Sequence, residues 1–266
     1  MPGLPIARFI PPAKAPSTRV TLRHPHTLAP SDFKVNLSRE LAAEVAEIVN
    51  QPLEVINTKT VPKKADISLR GGKKLESAVL YIDMRESTSL TEAHTDEVAA
   101  KMYKVYLEGV VAIARAKYGH VRGFAGDKIM VLFDNENGLA VERAIDCAVW
   151  MQSYIEKKVS PVLKARYRHP VACGVGIDFG TYVAVRGGRK GNNDIIWAGK
   201  AANRASKFAD NAKGGGIIVG RAAYNQLSAA AKKKFALVGS TATVYVAVKP
   251  GFTSSHSVPL TVRYSI

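Results

Sequence analysis

The sequence predicts an α+β fold: a βααβ core with added C-terminal strands and an N-terminal helical or extended arm. Three observations carry this. A continuous apolar run, Ala78 to Ile82, reads as a buried central strand and ends in an aspartate, Asp83. Helical periodicity follows it up to about Lys117. Two further apolar strands, near 120–125 and 128–133, are then joined by Gly126-Asp127, a dipeptide suited to a tight hairpin.

The 266 residues can bury a sizeable core, and suggest one main domain plus an extension. The expected division is 1–75 for the extension and 76–266 for the main domain. Residues 1 to about 34 hold seven prolines, from Pro2 to Pro30, and read as extended chain or an arm on another surface. A helix is expected from about Asn36 to Asn50, with Leu41, Val45 and Ile48 on one stripe. Residues 51–75 are mixed and end in a basic linker, Arg70-Gly71-Gly72-Lys73-Lys74.

Past the first strand, Ser89 and Glu92 have capping-box spacing for a short helix, and Thr95 can cap a longer one that Gly119 stops. After the hairpin, Ala140, Ala144, Cys147, Met151 and Ile155 recur at helical spacing. Strands near 171–178 and 181–186 precede a glycine-rich loop, Arg186 to Asn193, and a helix near 200–210. A strand at 216–219, a helix near 221–234 and late strands complete an arrangement close to ferredoxin-like.

Hydrophobic content of 47% is ordinary for a globular chain, but the net charge of +16 is not. That charge fits a polyanionic ligand, a nucleic-acid surface or simply a basic surface, and its spread along the chain favours the last. Cys147 and Cys173 offer neither metal spacing nor a disulfide framework, and both are expected buried and reduced. No secretory leader and no membrane span are expected, so the cytoplasm is the expected compartment.

Chemistry concentrates at two strand ends. Asp83 and Asp127 are far enough apart in sequence for the helix pair to return the chain beside the first strand. Two such carboxylates can hold two divalent metals, Mg²⁺ or Mn²⁺, together with substrate phosphates, and the Met84 carbonyl can add a ligand. Taken singly, Asp83 is equally a residue at the start of a helix and Asp127 a turn former. The helix start after Asp83 presents free N–H groups suited to phosphates.

Four motifs in order resemble the class III adenylate and guanylate cyclases. They are Asp83-Met84-Arg85-Glu86-Ser87-Thr88-Ser89-Leu90-Thr91-Glu92, Gly126-Asp127-Lys128-Ile129-Met130-Val131-Leu132-Phe133, Gly174-Val175-Gly176-Ile177-Asp178-Phe179-Gly180 and Gly199-Lys200-Ala201-Ala202-Asn203-Arg204-Ala205-Ser206-Lys207. They cover about residues 77 to 235. The resemblance implies the fold of the class III cyclase catalytic domain and cyclisation of a nucleoside triphosphate with release of pyrophosphate. Asp83 and Asp127 then hold two metals per site and Asn203 orients the ribose. Lys207 stands where the family carries an arginine, which keeps the charge but loses the planar fork. Arg85, Glu86, Ser87 and Thr88 are expected at the triphosphate, with Lys249 or Arg186 supplying a basic contact. The family's site joins two subunits, so a homodimer with interfacial sites is implied.

Two departures bear on the base. The positions where purine cyclases read their base are here Gly123, four residues before Asp127, and Ile196, seven before Asn203. Neither side chain can hydrogen-bond a purine edge, and discrimination built on polar contacts is lost without them. Arg122, Asp194 and Asn193 are the nearest polar candidates. This pattern resembles the bacterial pyrimidine cyclases of Pycsar antiphage defence, which make cyclic UMP or cyclic CMP. UTP or CTP is then the expected substrate, and a cyclic-nucleotide-sensing effector the expected downstream partner. Nucleic acid is not expected as a partner. The alternatives are an adenylate or guanylate cyclase with an unusual base pocket, or an inactive nucleotide- or nucleic-acid-binding module on the same fold.

Overall fold

The computed structural model describes residues 30–189, 191–212, 215–232, 235–238 and 243–248. The chain divides into two units, Met1–Pro52 and Leu53–Ile266. In the first, helix α1 spans Pro30–Asn50. Residues 53–75 fall in the second unit.

The second unit is built on β2 (Gly71–Met84), which pairs antiparallel with β4 (Lys128–Asp134) on one side and β5 (Cys173–Arg189) on the other. Helices α2 (Ser87–Ala93) and α3 (Asp96–Ala116) follow β2, and β3 (His120–Ala125) forms the hairpin with β4. Next come α4 (Ala140–Tyr154), a π turn (Ile155–Val159) and α5 (Ser160–Tyr167). After β5 the chain makes β6 (Asn192–Ala198), α6 (Lys200–Asn211), β7 (Ile217–Gly220), α7 (Arg221–Gln226), α8 (Ala229–Lys232), β8 (Phe235–Val238) and β9 (Thr243–Val248). The described strands run β3-β4-β2-β5-β7-β9-β8, with β1 (Glu54–Asn57) also on β2 and β6 also on β5.

Side chains alternate across a strand, so β2 feeds two cores. Ala78, Leu80 and Ile82 join Met102, Tyr106, Ala144 and Met151 from α3 and α4. Leu75 and Val79 point the other way, to Val61, Tyr182 and the alanines of α6. This two-sided burial explains the unbroken apolar run that marked the strand. Helix α6 lies close on β5 because small residues meet: Ala201 faces Gly180, while Ala205 and Ala209 lie over Gly176 and Gly174.

Several local expectations are corrected. The supposed basic linker at 70–74 is the start of β2, because pairing with β1 and β5 satisfies its backbone regardless of composition. The strands near 171–178 and 181–186 are one strand; Gly180 serves the approach of α6 rather than a turn. Most of the glycine-rich loop is strand too, with Gly187 and Gly188 opposite Asp194 and Asn193. The short helix begins two residues before Ser89, since Glu86 adopts a left-handed conformation (φ 57°) and its carbonyl already accepts from Leu90 N at 3.0 Å. The helix expected at 221–234 breaks where Ser228 Oγ accepts from Ala231 N at 3.1 Å and starts a new turn.

Candidate functional site

Strand β2 carries Asp83 to the sheet end, opposite Gly174 of β5. The β3–β4 turn, with Gly126 at φ 63°, brings Asp127 to the same end. Asp127 Oδ2 accepts from the Met84 amide at 3.1 Å, which locks the second carboxylate beside the first. Asp83 is half-buried, and desolvation pushes its carboxyl above the ordinary carboxylate range. Lys128 opposes that shift, Asp127 adds to it, Arg85 opposes it and Asp210 adds to it. Crowded negative charge in partial burial is the condition a divalent cation relieves.

Whether the residues fit such a cation rests on the donor set. Among the described residues, no three His, Cys, Asp or Glu side chains cluster for a metal. Two carboxylates alone suit a hard ion that takes its other ligands from water and substrate phosphates, as Mg²⁺ does. The residues present therefore fit Mg²⁺ or Mn²⁺ held at Asp83 and Asp127.

Two charged neighbours, Lys128 and Asp210, were missed in the sequence. Lys128 Nζ lies 4.0 Å from Asp83 Oδ2 and pairs with the Asp210 carboxylate of α6. Arg85 turns its guanidinium to the end of α6, donating to the Ala209 carbonyl and, at 3.0 Å, to that of Asp210. The carboxylate pair and the α6 end are thus tied together. A signal for Asp210 existed: it lies one helical stripe on from Asn203 and Lys207, at i+7 and i+3. Tyr103 also joins the site, donating to the Ser87 carbonyl at 3.3 Å. Burial, and then the Asp127 charge, push its hydroxyl upward.

The triphosphate candidates divide. The Met84 amide is engaged by Asp127, and the Arg85 amide donates to Ala172 O at 2.9 Å. That leaves Glu86, Ser87 and Thr88 at the α2 start, where helix geometry frees the first amides. Lys249 lies outside the described residues. Arg186 donates to Ile67 O at 3.3 Å and to Asn193 Oδ1 at 3.3 Å.

Asn203 and Lys207 are exposed on one face of α6. Between them Arg204 turns to the sheet and bonds the fully buried carboxylate of Asp178. The base candidates lie on β3 and β6. Gly123 pairs with Met130, which lies opposite Tyr81, itself opposite Gly176. Ile196 pairs with Val185 on the same β5. One segment, 61–64, touches both neighbourhoods, since Arg122 donates to the Pro62 carbonyl and Lys64 Nζ to the Asn193 carbonyl. Arg122 is engaged by the Pro62, Val121 and Val61 carbonyls at 3.2, 3.1 and 3.5 Å. Asp194 is exposed and accepts from the Ile195 amide at 2.7 Å.

Residues 71–250 match the adenylate and guanylate cyclase catalytic domain family. A uridylate cyclase of Burkholderia cepacia is 30% identical over 198 residues, covering 72% of this chain and 85% of that protein. A cytidylate cyclase of Staphylococcus aureus is 30% identical over 149 residues, covering 53% of this chain and 35% of that protein. Among solved structures, the guanylyl cyclase Cya2 superposes with a TM-score of 0.61 at 21% identity, covering 72% of this chain and all of its own.

Proposed function

Because this chain belongs to the adenylate and guanylate cyclase catalytic domain family, the class III nucleotide cyclases, we propose that it cyclises a pyrimidine nucleoside triphosphate. UTP stands ahead of CTP, and the products are the 3′,5′-cyclic nucleotide and pyrophosphate. The observation that carries the pyrimidine reading is the pair Gly123 and Ile196, apolar at both positions that read a purine in this family. The similarity to uridylate and cytidylate cyclases supports it.

In this reading Asp83 and Asp127 hold two divalent cations, with the Met84 carbonyl as a further ligand. Bound there, the cations supply positive charge that acidifies the ribose 3′-hydroxyl and offsets charge on the departing pyrophosphate. The chain's own groups do the positioning. The Glu86–Thr88 amides receive the phosphates at the α2 start. Asn203 fixes the ribose so that its 3′-oxygen lies in line with the α-phosphorus, which removes orientational entropy from the barrier. Lys207 meets charge on the α-phosphoryl oxygens. The 3′-hydroxyl gives up its proton to solvent, and its oxygen bonds to the α-phosphorus as the bond to the pyrophosphate oxygen breaks.

The site is proposed to join two copies. The resemblance to class III cyclases supports this, since there the metal half and the ribose half of a site come from different subunits. The cyclic nucleotide is read as a second messenger for a separate effector in antiphage signalling, on the Pycsar resemblance. Among the described residues no helix is long and apolar enough to cross a membrane. The direct test is the purified chain with Mn²⁺ and UTP, its product identified by mass spectrometry. Cyclic UMP with equimolar pyrophosphate is expected, and recovery of unchanged UTP refutes the reading.

A further inference from the structure

On the helical side of the sheet, α3, α4 and the π turn line a half-open cavity of about 310 Å³ that the cyclase chemistry does not use. That volume falls within the range of small-molecule sites. Its floor is Ile113 and Val149, both packed on the main core. One wall is Trp150, an indole left 43% exposed yet held in place by Lys117, whose Nζ lies 4.6 Å from the ring and 2.6 Å from Asp146. The other is Tyr154, whose hydroxyl donates to Val105 O at 2.9 Å and whose ring fills the notch at Gly109. Both walls are therefore fixed before anything binds.

The rim has one sign of charge. Lys157 and Lys158 line the mouth, both exposed, and among the described residues no carboxylate lines the cavity. Of the acids around it, Asp146 pairs with Lys117 and Glu108 with Lys104 at 3.6 Å, while the exposed Glu156 precedes Lys157 on the π turn. The lysines reach this face through a local irregularity. Lining pairs recur every four residues, at 149/150, 153/154 and 157/158. A regular α-helix would carry the third pair about 80° around the axis from the first. The π turn at Ile155–Val159 unwinds the helix and returns the lysines to the face. π turns of this kind recur at binding sites.

We propose that this cavity binds a small amphipathic anion, an acyl or aromatic body carrying a carboxylate, sulfonate or phosphate. The body stacks on Trp150 and Tyr154, and the anionic head meets Lys157 and Lys158. The inference is independent of the substrate of the cyclase site.

The test uses the full chain with Trp197→Phe, which leaves Trp150 as the only indole. Anilinonaphthalene sulfonate is the probe, read by energy transfer from Trp150. Saturable transfer is expected, displaced by octanoate but not by octylammonium. Lys157→Glu/Lys158→Glu weakens binding at least 10-fold. Ser153→Phe, which fills the cavity, abolishes it with the thermal midpoint retained. Absence of saturable transfer overturns the proposal, as does equal displacement by octylammonium or full affinity in the charge-reversed variant.

Discussion

Gly176→Ala tests how tightly the reaction depends on the seating of α6. A Cβ at this position would lie 2.1 Å from the Ala205 carbonyl oxygen and 2.4 Å from the Ala209 amide nitrogen, both backbone atoms of α6. Ordinary contact begins near 3.4 Å. The helix must therefore retreat by roughly 1 Å, since no flexible side chain can yield instead. Overpacking of this kind costs about 1–3 kcal/mol, or roughly 3–10 °C in thermal midpoint for a domain of this size. The same retreat carries Asn203 and Lys207 with it and pulls on the Arg85 and Lys128 ties to the α6 end. A misplacement of about 1 Å in positioning groups costs on the order of 10²-fold in turnover. The assay pairs calorimetry with pyrophosphate release. Gly180→Ala is the internal control, because its Cβ would meet only the Ala201 Cβ, at 3.3 Å. It should retain turnover within a few-fold. Wild-type turnover in Gly176→Ala, or a larger loss in Gly180→Ala, refutes the claim that α6 seating governs the rate.

Asp83→Ala and Asp127→Ala should each reduce turnover at least ~10³-fold while the thermal midpoint stays within a few degrees; retained activity in either removes the two-carboxylate metal assignment. Mixing Asp83→Ala with Asn203→Ala, each inactive alone, should restore activity through heterodimers carrying one intact site; no recovery, with subunit exchange confirmed by labelled chains, puts the whole site in one chain. Burial pushes both thiols, Cys147 and Cys173, up from 9.0 to about 12. The unfolded chain therefore releases these protons first, and stability falls as pH rises from 9.0 towards 12. Alkylation by iodoacetamide at pH 8 should be negligible in the folded protein and complete in denaturant; rapid alkylation of the native chain contradicts the packing described.

The parts legible in the sequence are those fixed by local chemistry. The strand before Asp83 announced itself because β2 is buried on both faces, and the β3–β4 hairpin because Gly126 supplies the positive φ its turn needs. The opening of β2 was hidden, since Gly71, Gly72, Lys73 and Lys74 carry no strand signal and are ordered by pairing with β1 and β5. The extension of β5 past Gly180 was hidden for a related reason: a glycine chosen for helix approach looks like one chosen for a turn. Within the site, Asp83 and Asp127 stood at recognisable strand ends. The Lys128–Asp210 and Arg85–α6 ties join residues more than 80 positions apart, and only the folded chain brings them together. Arg122 looked free to read a base, but in the fold it clamps the Val61–Pro62 segment.

The central claim is that a cyclase site lacking polar groups at Gly123 and Ile196 has turned from purines to a pyrimidine. Equal concentrations of ATP, GTP, CTP and UTP, offered together to the purified chain with Mn²⁺, test it most directly by mass spectrometry of the cyclic products. A site that hydrogen-bonds one base edge rejects the others by on the order of 10³-fold or more. Cyclic UMP as the dominant product is the predicted result. Cyclic AMP or cyclic GMP as the main product contradicts it.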